Sequence, residues 1–164
     1  MVTGCGRPRF LAKNQKRQAG VTFLVLLFAI AIGGIALSGA AIVWQMEVRR
    51  EKEKELLFVG EEYRQAIARY TRASPGGRQD YPAKLEDLLL DKRFPMPVRH
   101  LRRLYRDPLT ADGEWALIRQ QGRIIGVASK SQEKPIKIAG FGPTQSDFEG
   151  AKSYAEWRFV PNGL

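Results

Sequence analysis

From Val21 to Trp44 no charged residue interrupts the chain. At about 1.5 Å per residue, a helix over that run crosses a hydrocarbon layer of about 30 Å with some tilt. Charge returns abruptly at Glu47 and alternates through Arg49, Arg50, Glu51, Lys52, Glu53, Lys54 and Glu55. This is the pattern of a solvated helical collar just outside lipid, in which Arg49 and Glu53 form one favourable i,i+4 pair. Beyond it Leu56, Val59, Tyr63, Ala66, Ile67 and Tyr70 recur at steps of three and four, which draws one face of a helix. No proline occurs between Val21 and Arg72. The pattern therefore predicts one helix of about 50 residues, roughly 75 Å long, with lipid or other anchors against its first half and a folded head against its second. Gly60 weakens it slightly. Ser74-Pro75-Gly76-Gly77 ends it, because proline removes a backbone donor and glycine favours the turn.

The remainder alternates on shorter periods. Tyr81 to Leu89 predicts a short helix with Pro82 near its first turn and a Leu85/Leu88/Leu89 face. Val98, Leu101, Leu104 and Tyr105 predict a second short amphipathic helix, its outer face carrying Arg99, Arg102, Arg103 and Arg106. Asp107-Pro108 is a turn. Glu114–Arg119 and Arg123–Ala128 flank Gln120-Gln121-Gly122 and predict a β-hairpin, with a last strand over Tyr154–Val160. The order is long helix, short helices, then antiparallel sheet. It makes an α+β fold in which a long N-terminal helix packs on a small head.

Charge sharpens this picture. The formal charge of +10 has two local sources. Before Val21 stand Arg7, Arg9, Lys13, Lys16 and Arg17 with no acid, a bias that keeps the N-terminus on the cytoplasmic side of a membrane and places everything after Trp44 on the other. Lys92, Arg93, Arg99, Arg102, Arg103 and Arg106 then fall together without an acid between them. Such a face is usually solvated or meets acids of a neighbouring subunit; holding DNA phosphates is the lesser reading. Cys5 is the only cysteine, so no intramolecular disulfide exists, and too few residues precede it for a lipoprotein signal. His100 is the only histidine, and no motif pairs a nucleophile with a base, so neither an enzyme nor a cofactor is expected.

Lys16-Arg17-Gln18-Ala19-Gly20, followed by Val21-Thr22-Phe23-Leu24-Val25-Leu26-Leu27, resembles the type III signal of type IV pilins and type II secretion pseudopilins. The resemblance continues in Tyr81-Pro82-x-x-Leu85-x-x-Leu88, Leu101-x-x-Leu104 and Asp107-Pro108, which look like the major-pseudopilin group. It implies a prepilin peptidase cutting after Gly20, so that Val21 begins a mature chain that is usually methylated there. It further implies a membrane anchor including Phe23, Leu24, Val25, Leu26, Leu27 and Trp44, and assembly with other pilin-like subunits on a platform as a homo- or hetero-polymer. The implied division is a cleaved leader at 1–20, a transmembrane helix at 21–45, its periplasmic continuation at 46–73 and a globular head at 74–164, anchored in a bacterial inner membrane. Two positions depart from the family pattern: Val21 replaces the usual Phe and Val25 the usual Glu. The loop 129–135, where that group holds calcium, has Glu133 as its one carboxylate, so no metal is expected. A plain single-pass anchored protein and a DNA-binding pilin-like protein are the alternatives.

Overall fold

The computed structural model describes residues 18–161 except 78, with the side chains at 18, 19, 35–43 and 77 outside that description. Of the expected leader at 1–20, residues 1–17 therefore lie outside the described residues. Two compact units meet between Met46 and Glu47. One helix, α1, runs from Gln18 to Arg72 and contributes to both.

In the first unit the large apolar side chains within the description are exposed. Phe23, Leu24, Val25, Leu26 and Leu27 are all exposed, as are Val21 and Trp44. Among the described residues no helix is long and apolar enough to cross a membrane. The span expected over 21–45 includes positions 35–43, whose side chains lie outside the description.

The second unit is built on the remaining turns of α1. Leu56, Val59, Tyr63, Ala66, Ile67 and Tyr70 are all buried and form one side of the core. The expected stripe is the one the head covers, because these positions return to one face every three or four residues. Against it pack Leu88, Leu101, Trp115, Ile124, Val127, Phe148, Tyr154, Trp157 and Phe159. Phe141, Phe148, Tyr154 and Trp157 form a cluster of mostly edge-on aromatic contacts, with Phe148 and Trp157 stacked at 5.4 Å. Gly60 allows Phe159 to lie directly on the helix, since a Cβ there would run into its ring.

Strands β1 (Ala116–Gln120) and β2 (Arg123–Ala128) form the expected antiparallel hairpin, with a bulge after Ile118. Gln121 and Gly122 turn it with φ of 49° and 79°, the left-handed pair that matches strand twist. The helix-plus-sheet class is α+β, and its sheet has two strands.

Three local expectations are corrected. Leu85–Leu88 is a single 3₁₀ turn with Leu88 buried inside it. The residues around Arg99–Arg106 form no helix: His100 and Leu101 both donate their backbone N–H to the Leu88 carbonyl, and Asp91 bridges Val98. Those bonds hold the segment against the 3₁₀ turn, with bends at His100, Arg102 and Arg103, and bury Leu101 while Leu104 stays exposed. Over 154–160 the chain begins as a 3₁₀ turn, Tyr154–Glu156, and only Phe159 pairs with β2, at Val127.

Candidate functional site

The second unit grips its helix at two polar points that bracket the apolar stripe. At the first, Glu53 is 6% exposed and does not belong to a solvated collar. The backbone N–H groups of Ile136 and Lys137 donate to its carboxylate at 2.7 and 3.1 Å, and the Tyr154 hydroxyl donates at 2.7 Å. Burial, and then the neighbouring carboxylate, push the Tyr154 phenol above its ordinary pKa. Glu53 precedes Leu56 by three residues and so extends the buried face by one turn. That spacing was the available signal, masked by seven other charged residues on either side.

The second point closes the end of α1. Arg93 lies over the Tyr70 ring at 3.6 Å, donates to the Tyr70 carbonyl at 2.8 Å and to Ser74 Oγ at 2.7 Å. A guanidinium suits this position because the last carbonyls of a helix have no partner within it and carry partial negative charge. Asp91, fully buried, holds Arg93 in a fork: Nε to Oδ1 at 2.9 Å and Nη2 to Oδ2 at 2.7 Å. His100 Nε2 lies 3.1 Å from the same Oδ2. The Arg93 hydrogen bonds hold the Asp91 carboxyl at a pKa of about 2, against the pull of burial. His100 is a buried member of this network.

Between the two points Tyr63 takes part twice, its hydroxyl donating to the Tyr105 carbonyl and accepting from the Tyr105 N–H, both at 2.9 Å. Burial raises its pKa to about 12. Asp107, buried in the expected turn, accepts from Ser129 Oγ at 2.7 Å and the Leu109 N–H at 2.9 Å.

Arg99, Arg102, Arg103 and Arg106 are exposed as expected, but on a segment without regular secondary structure. Arg103 sits 5.0 Å from the Tyr105 ring centroid, and Arg106 donates to the Asp112 carbonyl at 2.8 Å. The structure therefore does not gather the four into one helical face. Among the described residues no three acidic, histidine or cysteine side chains converge as metal ligands. Glu133, the carboxylate of the 129–135 loop, accepts from Arg49 at 2.8 Å. Asp112 and Glu114 share the Lys130 ammonium at 3.1 and 2.6 Å.

Gly20 and Val21 lie within α1 and are exposed, and a Cβ at Gly20 meets nothing within 4 Å. These features amount to an exposed apolar helical segment and, further along the same helix, a face covered by the second unit's core. Compared with protein-family models, curated proteins and solved structures, the chain matches none.

Proposed function

We propose that this protein is a structural subunit of a type II secretion pseudopilus or a related type IV pilus-like filament, cut by a prepilin peptidase between Gly20 and Val21 and assembled through its N-terminal helix. The observation that carries this reading is the division of α1. From Val21 to Ile32 its large apolar side chains are uncovered, whereas from Leu56 to Tyr70 its apolar face is filled by the head. Uncovered apolar surface of that extent needs lipid or the same segment of other copies around it. A protein that alternates between the two environments, membrane before assembly and filament core afterwards, satisfies it in both.

In this reading the basic residues before Val21 hold the N-terminus in the cytoplasm and the head lies in the periplasm, single-pass in the inner membrane. Val25 brings no charge into the apolar layer, so the segment enters a filament core without a buried carboxylate to neutralise. The head supplies no catalysis; it forms the filament's outer surface.

The test is to express the full chain with and without an active prepilin peptidase and sequence the N-terminus of the membrane-associated product. With the peptidase, Val21 is first; Gly20→Trp leaves the precursor uncut. An intact leader in the presence of active peptidase overturns the proposal and leaves a plain anchored protein.

A further inference from the structure

Within the second unit, the turn of the hairpin and the segment that follows the end of α1 meet in a groove of ≈ 350 Å³ lined by Gln79, Asp80, Tyr81, Gln120, Gln121 and Arg123. Small-molecule sites have volumes of about 300–1,000 Å³. Both walls are held by bonds that use none of the lining side chains. The Ser74 hydroxyl accepts the Asp80 N–H at 3.2 Å, and the Ile124 N–H donates to the Pro82 carbonyl at 2.8 Å. Arg119 ties one wall to the other by donating to the Ala83 carbonyl at 3.4 Å and the Gly122 carbonyl at 3.0 Å. Tyr81 is half-buried and packs against the core, so the groove has an aromatic side chain fixed in place.

The polar side chains of the groove are uncommitted. Those of Gln79, Asp80, Gln120, Gln121 and Arg123 are exposed and make no hydrogen bond or ion pair among the described residues. Gln121 sits at φ 49°, a left-handed turn position that glycine or asparagine fills at less cost. Its side chain bonds to nothing in the hairpin and lines the groove. The composition of the lining decides what fits. It holds no aliphatic side chain, which leaves out lipid tails and peptides anchored by Leu or Val. One carboxylate and one guanidinium cancel, so neither a phosphate nor a metal cation meets an excess of opposite charge. Three primary amides, each with two donors and an acceptor, suit a neutral ligand rich in hydroxyls.

We infer that this groove binds a neutral saccharide, with the Tyr81 ring against the C–H face of a pyranose and the surrounding polar groups on its hydroxyls. Carboxylate, amide and guanidinium are planar and carry two polar atoms side by side, a spacing that takes adjacent hydroxyls in pairs. The aromatic ring adds apolar contact at little cost in side-chain freedom, because the core already holds it. The same chemistry is offered by a free oligosaccharide and by the glycan strands of a cell wall. The site lies within the second unit and does not depend on the filament reading.

The test uses the full chain in a phosphocholine detergent, since alkyl glycosides would compete for the groove. Trimers of N-acetylglucosamine, glucose and galactose are titrated with saturation-transfer NMR as the readout, and binding of at least one in the millimolar range is expected. Gln121→Gly weakens it about fivefold while the denaturation midpoint holds or rises, because glycine suits this turn position. Asp80→Asn and Arg123→Gln each weaken it at least as much. Retention of the chain on purified peptidoglycan sacculi, released by the bound trimer, identifies a wall glycan as the source; a trimer bound without such retention identifies a free oligosaccharide. No transfer to any trimer together with no retention on sacculi, binding unchanged in Gln121→Gly and Asp80→Asn, or inorganic phosphate bound more tightly than every trimer overturns the site. Cleavage after Gly20 is read separately, so the failure of either proposal is seen without the other.

Discussion

Glu53 accepts from two backbone amides and a phenol, all of them uncharged donors. Its removal strands the N–H groups of Ile136 and Lys137 and the Tyr154 hydroxyl in a half-buried place. Hydrogen bonds to an ionised group contribute about 1.5–3 kcal/mol, and orphaned donors cost a similar amount. Glu53→Ala is expected to lower stability by about 3 kcal/mol, and Glu53→Gln by about half of that, in denaturant unfolding of the full chain in detergent. Asp91 acts with a different partner. Its carboxyl moves from 3.8 to about 2 in the folded chain, so the stabilisation is complete above about pH 4 and is lost as pH falls toward 2. The shift corresponds to about 2 kcal/mol. Asp91→Asn strands Arg93 and is expected to cost about 3 kcal/mol at pH 7, a difference that narrows as both proteins are acidified from pH 4 to pH 2.

At the scale of elements, α1 and the hairpin were legible because each repeats its own period long enough to exclude the other. Leu56 to Tyr70 keeps helical spacing over four turns, and Arg123–Ala128 sits across a two-residue turn from Ala116–Gln120. The segment around Leu101 was misread because Val98, Leu101, Leu104 and Tyr105 also fit a helix. The Leu88 carbonyl, which takes two N–H groups of that segment, the Asp91–Val98 bridge and the Tyr63 hydroxyl exclude it, and those partners are distant in sequence. Gly60 shows the same limit. Its cost to the helix is visible in composition, whereas its purpose is the Phe159 ring lying on it. Gly60→Ala gains about 1 kcal/mol of helix propensity and meets a ring held at 1% exposure. Overpacking there costs about 1–3 kcal/mol. The expected net effect is a loss of about 1 kcal/mol, seen as a lower denaturation midpoint with unchanged slope; a gain in stability would show that Phe159 moves aside freely.

For the whole molecule, the charge of +10 separates into a basic N-terminal tract and a basic stretch in the head. The uncovered apolar surface from Val21 to Ile32 could be anticipated from the absence of charge alone. The polar grips on α1 could not, because Glu53, Asp91, Arg93 and His100 look like ordinary surface residues until the chain brings them to the helix. The basic stretch in the head was legible in content and wrong in form, since a bent segment without regular structure scatters side chains that a helix would have aligned.

The spacing of those grips has a mechanical consequence. Glu53 and Tyr70 stand seventeen residues apart on α1, about 25 Å. Slipping the head by one turn along the rod, about 5.4 Å, would break the Glu53 and Arg93 bonds together and drag every knob of the stripe out of its socket at once. A tug on the rod is shared across all of these bonds in shear, so the head travels with it in lockstep.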